Sequence, residues 1–344
     1  MPIDELNWMQ RYVGEELVEQ HQAGQLSRRE LLTKLLGICG SLAGVSALLA
    51  ACGDNGSVKA ADPTTTAGAT SSTRLAPTTA ATTAAPATTA AATSTTAAPT
   101  TTSGGAAKAK LSVAVDDAGV TAGPVTFPGP ASTILAYQAR PSGAAQPRAG
   151  VLVIHENRGL TDHIRDVARR VAKAGYLAIA VDLASRAGGT DKAGDGIQAA
   201  LTGGQPADRL ADLDAAVAYL ATQPDYNGKL GIMGFCFGGG ITLAYAAAQP
   251  KVKAAVPYYG TPPQPVSQMA NTQAAILAHY GATDSRVNGT MASLVEAMAG
   301  KTLKTVVHDG AGHAFNNDTG AAYNEGVAVA AWSLSTDWLK TQLA

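Results

Sequence analysis

Lys229 to Ala248 reads KLGIMGFCFGGGITLAYAAA, and its division into strand, turn and helix decides the fold. Leu230 to Met233 is a short apolar run of the kind found in strands buried on both faces, and the Ala-rich run Ile241 to Ala248 reads as a helix. Between them stands Gly234-Phe235-Cys236-Phe237-Gly238, a G-x-S-x-G elbow with sulfur in place of the hydroxyl oxygen. Side chains at 234 and 238 would collide with the neighbouring strand and helix if residue 236 were forced into a strained turn, so glycine is required at both. Such a turn exposes the thiol above the sheet edge and leaves the first helical amides, starting at Phe237, free to donate to an oxyanion. Taken alone, the pentapeptide fits equally a glycine-rich turn around a buried, inert cysteine.

Working outward, strands and helices alternate. Val151 to Ile154 is a continuous apolar run suited to the middle of a sheet. A helix capped by Thr161 or Asp162 runs through Ala174, with Ile164, Val167 and Val171 on one face, and Tyr176 to Val181 is the next strand. A helix over about Pro206 to Ala221 carries the core stripe Leu210, Leu213, Val217 and Leu220. Beyond the elbow, strands are expected near Val252 to Tyr258, Ala274 to Tyr280 and Thr302 to His308, with helices near Ala292 to Ala299 and Ala321 to Leu339. Upstream, LSVAV from Leu111, PVTFP and STILAYQAR read as further strands. The alternation predicts an α/β fold, a doubly wound and mostly parallel sheet with helices on both faces. Functional loops then belong at the carboxyl ends of the strands.

The amino-terminal third differs in composition. Residues 1 to 26 place Leu6, Met9, Val13 and Leu17 at helical spacing among Asp4, Glu5, Glu15, Glu16 and Glu19. This amphipathic helix is either a partner-binding element or a solvated leader, and the segment that follows favours the leader. Arg28-Arg29 precede the charge-free run Leu35 to Gly53, which resembles a twin-arginine export signal, and Leu49-Ala50-Ala51-Cys52 resembles a lipobox. The resemblance implies cleavage before Cys52, its lipidation, and an extracytoplasmic protein held on the bacterial cell membrane. The alternative is an uncleaved membrane helix of nearly the roughly 20 residues that a bilayer requires. Asp54 to Ala107 is rich in Thr, Ala, Pro and Ser and cannot bury a core, so a tether reaching about 40 Å is expected. The expected organisation is an export signal over 1–51, a linker over 52–108 and a catalytic domain over 109–344.

Twenty-five Lys and Arg against 26 Asp and Glu give a net charge of -1 with no basic stripe, which excludes nucleic acid as a partner. Only Cys39, Cys52 and Cys236 are present, too few for a disulfide framework. His21, His155, His163, His279, His308 and His313 lack paired ligand spacing, and GFCFGGG lacks the lysine of a phosphate loop. No metal or cofactor is expected, and a monomer is.

A cysteine nucleophile needs a base, and the base an orienting acid. Ala274 to Tyr280 runs into Gly281-Ala282-Thr283-Asp284, and Thr302 to His308 into Asp309-Gly310-Ala311-Gly312-His313. The order nucleophile, acid, histidine is that of the α/β-hydrolases. His308 competes with His313, but it continues the strand, whereas His313 sits on the glycine-flanked loop beyond. His155-Glu156-Asn157-Arg158 directly follows the buried strand Val151 to Ile154, where this fold supplies a second oxyanion donor.

Glu156, the elbow GFCFGG, Asp284 and His313 together resemble the dienelactone hydrolase family over roughly residues 111 to 344. The resemblance implies a Cys236, Asp284, His313 triad, a Glu156 that acts on the thiol, and backbone oxyanion donors at Phe237 and Asn157. It further implies cleavage of a small-molecule ester or lactone through a thioacyl intermediate. The family's carboxylate clamp of two arginines is matched at Arg186, but Asn317 occupies the second position; Arg158 is a candidate replacement. The alternative is an idle scaffold acting as a lipid-tethered binding module.

Overall fold

The computed structural model describes residues 6–52, 111–144 and 146–344. The expected tether, apart from Cys52, lies outside the described residues. Eight strands form one sheet: β1 (Val120–Pro128), β2 (Thr133–Pro141), β3 (Arg148–Ile154), β4 (Leu177–Val181), β5 (Tyr226–Phe235), β6 (Val252–Tyr258), β7 (Ala275–Gly281) and β8 (Leu303–His308). Their spatial order is β1-β2-β4-β3-β5-β6-β7-β8. The β1-β2 hairpin joins β4 antiparallel, and every pairing from β4 through β8 is parallel. Parallel strands covered by helices are apolar throughout, which is why the central β3, β4 and β5 read as continuous hydrophobic runs.

The helices are α1 (Trp8–Gln22), α2 (Arg28–Cys39), α3 (Leu42–Ala51), α4 (Asp162–Lys173), α5 (Thr190–Ala193), α6 (Ile197–Thr202), α7 (Pro206–Ala221), α8 (Phe237–Ala248), α9 (Ser285–Asn288), α10 (Met291–Ala297) and α11 (Glu325–Gln342). Helices α4, α7, α8 and α11 pack directly on the sheet. Together these elements make an α/β-hydrolase fold.

Three expectations are corrected. Residues 111–115 are not a strand: the Val113 amide donates to Asp166 Oδ1 at 2.7 Å, and its carbonyl accepts from Arg169 Nε at 2.7 Å. Side chains of α4 satisfy the groups that a neighbouring strand would otherwise have bonded. The last helix starts at Glu325 rather than Ala321, because Asn324 caps it by accepting from the Val327 amide. The first helix, finally, is not solvated. Met9, Val13 and Leu17 are buried with Tyr12 and Val18, and residues 6–52 join 111–344 in a single compact unit.

Asn7 and Gln10 form a capping box at the start of α1, and Gly14 leaves room for the Leu48 side chain of α3. The apolar run of the expected export signal is divided between α2 and α3, which bend by 112° at Gly40, a residue with φ 66°. Among the described residues no single helix is long and apolar enough to cross a membrane; α2 and α3 meet the length and hydropathy requirement only as a bent pair.

Candidate active site

Cys236 lies between β5 and α8 with φ 57° and ψ -119°, a conformation that disfavours every side chain. The close approach that imposes it is measurable at the flanking glycines. A Cβ at Gly234 would meet the Gly238 carbonyl oxygen at 2.2 Å, and one at Gly238 would meet the His155 and Ile154 oxygens at 2.4 Å. The Cys236 amide donates to Tyr258 O at 3.0 Å, fixing the elbow to β6. Because α8 begins at Phe237, that residue's amide has no intrahelical acceptor.

Two later loops are joined above the same sheet edge. The Ala282 amide donates to His308 O and the Thr283 amide to Ala311 O, each at 3.0 Å. This aligns Asp284, which caps α9, with His313: Nδ1 of the imidazole stands 2.6 Å from Asp284 Oδ2. Burial alone would raise the Asp284 pKa, but the hydrogen bond and charge of His313 outweigh it and the net shift is downward. For His313 burial pulls down, while the Asp284 bond and the charges of Glu16 and Asp284 prevail and raise it. His313 Nε2 is buried and unpartnered. His308 is held elsewhere, its Nε2 3.0 Å from His279 Nδ1, which separates the two rival histidines.

The thiol of Cys236 donates to Glu16 Oε2 at 3.0 Å, across 220 residues of chain. Glu156, which the family resemblance links to the thiol, accepts a hydrogen bond from Asn317 Nδ2 on its Oε2 at 2.5 Å and has an unpartnered Oε1, while its charge bears on the sulfur. Burial, then the charges of Glu16 and Glu156, push the Cys236 pKa well above its ordinary value, opposed by a backbone hydrogen bond from Asn157. The Glu156 pKa is also raised, by burial and by Glu16, against the charges of His163 and His313 and the Asn317 bond.

Glu16 reaches the sulfur because α1 is tied down at several points. Arg286 Nε pairs with Glu19 Oε2 at 3.0 Å, and its guanidinium lies 4.8 Å from the centre of the Tyr12 ring. The Tyr12 hydroxyl donates to Tyr259 O at 3.4 Å, and Trp8 lies over Gly240 of α8. The Met9, Val13, Leu17 stripe was the available sequence signal that this helix is covered. Nothing in the spacing could say by what.

A cavity of about 620 Å³ opens at this point, lined by Cys236, His313, Asp284, Glu156, Asn157 and Asn317, and also by Glu16, Glu19, Gln20, Ala23 and Gln25 of the amino-terminal segment. Arg158 lines it as well, with its side chain exposed. Arg186 does not: it forms a bidentate pair with Asp212, both distances 2.9 Å, and a third contact with Asp208 at 3.1 Å. One set of groups here could hold a metal ion, since Glu16, Cys236 and His313 present donor atoms within 4.8 Å of one another. Cys52 ends α3 and is not among the residues lining this cavity, and none of the three cysteines forms a disulfide.

Residues 134–343 match the sequence model of the Dienelactone hydrolase family. Among similar proteins, a "Putative carboxymethylenebutenolidase" of Methylorubrum extorquens is 38% identical over 210 residues, covering 56% of this chain and 72% of the relative. Its Escherichia coli K12 namesake is 35% identical over 212 residues, covering 56% and 77%. A crystal structure named "Putative Dienelactone Hydrolase" from Klebsiella pneumoniae superposes with a TM-score of 0.61 at 36% identity, covering 64% of this chain and 98% of that one.

Proposed function

The chain belongs to the dienelactone hydrolase family, and we propose that it cleaves an ester or lactone through a thioacyl intermediate on Cys236. The observation that carries this reading is the position of the strained elbow thiol in the same cavity as the unpartnered Nε2 of a His313 bound to Asp284.

In the proposed reaction the thiol turns from Glu16 toward His313. Nε2 accepts its proton as sulfur bonds to the substrate carbonyl carbon, and the carbonyl electron pair moves onto oxygen. Asp284 keeps the imidazole in the tautomer with its proton on Nδ1 and stabilises the imidazolium that forms. The backbone amides of Phe237 and Asn157 donate hydrogen bonds to the oxyanion, and Glu156, through its unpartnered Oε1, is the adjacent group toward which the thiol proton can also move. When the oxyanion collapses, the carbon–oxygen bond of the leaving group breaks and the alkoxide takes the proton from His313. A water, deprotonated by His313, then splits the thioester, releasing the acid and restoring the thiol.

Turnover of small aryl esters is expected to vanish on alkylation of Cys236 and in Cys236→Ala, with activity falling at least about 10³-fold. Activity that survives both would overturn the proposal, and an idle scaffold would show none at the outset.

A further inference from the structure

The charge around the sulfur is set partly by a helix outside the family-matched residues 134–343. Glu16 is only 4% exposed and its Oε2 lies 3.0 Å from the sulfur to which an acyl carbon must bond. Buried at that distance, its charge is weakly screened. Glu19 is neutralised by Arg286 and Asp284 by His313, whereas Glu16 and Glu156 take part in no ion pair among the described residues. Their partners are uncharged: Gln20 and the thiol for Glu16, Asn317 for Glu156. The cations nearest the sulfur, Arg286 and His313, also feel the Glu16 charge, but each is already paired with another carboxylate, Glu19 and Asp284. Arg186 is engaged by Asp208 and Asp212, and the one arginine on the cavity wall, Arg158, is exposed and screened by water.

We propose that Glu16 makes this site select esters or lactones that are uncharged near the scissile carbonyl and reject those bearing a carboxylate there. The proposal rests on the hydrolase reading above and names the substrate class of that same site. A substrate carboxylate within a few atoms of the carbonyl meets the buried carboxylates of Glu16 and Glu156, while the one buried guanidinium nearby, that of Arg286, is already paired with Glu19, so repulsion raises both the ground state and the transition state of anionic substrates.

The test compares two isosteric substrates on the full-length protein: the 4-nitrophenyl monoester of adipic acid, ionised at its far end, and the corresponding carboxamide. Any effect of Glu16 on the thiol enters both reactions equally and cancels in the ratio of kcat/KM values. The wild type is expected to favour the carboxamide by at least about tenfold, Glu16→Gln to reduce that preference by about tenfold, and Glu16→Asp, which retains the charge, to keep most of it. A wild-type ratio near one, or a preference for the carboxylate, overturns the proposal whether or not the variants fold. An unchanged ratio in a folded Glu16→Gln does so too. Absence of turnover of both substrates, with the thiol intact, overturns the hydrolase reading and this inference with it.

Discussion

At Cys236 the resting proton lies between sulfur and a carboxylate from the far end of the chain, while the imidazole suited to receive it stands unpartnered. Burial first, and then the Glu16 and Glu156 carboxylates that a thiolate formed there would face, raise the thiol pKa. The sign of the consequence is fixed. Alkylation proceeds through the thiolate, so its rate at Cys236 should climb as pH rises into the alkaline range rather than levelling off near neutrality. Removing one negative charge favours the thiolate, so Glu16→Gln should shift that profile to lower pH and speed iodoacetamide labelling of Cys236 at neutral pH by about tenfold. Labelling followed by peptide mass spectrometry gives the rate; an equal or slower rate in a folded variant would show that Glu16 does not restrain the thiol.

Helix α1 has a conventional amphipathic pattern, yet it closes one side of the candidate site. Its hold combines the buried Met9, Val13 and Leu17 with the polar attachments of Tyr12 and Glu19 to Tyr259 and Arg286. Burying a side chain such as Leu17 contributes about 1.5 to 3 kcal/mol, and an unpaired charge in its place reverses the sign of that contribution. Leu17→Asp should therefore undock α1 while the sheet, to which this helix contributes no strand, stays folded. The expected readout is faster amide hydrogen exchange over residues 8–22, with no comparable change in β3 to β7, and faster labelling of Cys236. The pattern at Met9, Val13 and Leu17 showed that α1 has an apolar face. Its solvated reading failed because an apolar stripe identifies a face to be covered and not the surface that covers it.

For the whole molecule, the amino-terminal helices and the α/β-hydrolase fold form one unit, while the sequence of residues 28–52 resembles a lipoprotein export signal. We propose that the protein is exported and anchored through Cys52. Mass spectrometry of the membrane fraction should then find a mature amino terminus at an acylated Cys52, and an intact Met1 on the exported protein would refute cleavage. Cleavage would separate α1, and Glu16 with it, from the catalytic domain. The mature form is accordingly expected to discriminate against the carboxylate ester as weakly as Glu16→Gln does.

Local chemistry made much of this protein legible from its sequence. Alternating apolar runs and helical stripes specify a parallel sheet covered by helices, and Gly234 and Gly238 mark an elbow because only glycine tolerates backbone oxygens at that distance. The chain order of Cys236, Asp284 and His313, each on a loop after a strand, follows from the same topology. What lay beyond reach depends on contacts with no fixed spacing. Arg186 is removed from the cavity by two aspartates of α7. Glu16 joins Glu156 beside the thiol, and takes its hydrogen bond, because a helix from the other end of the chain docks over the elbow. Sequence patterns report periodicity and local geometry, whereas the charge that a buried sulfur experiences is decided by which side chains the fold brings within a few ångströms of it.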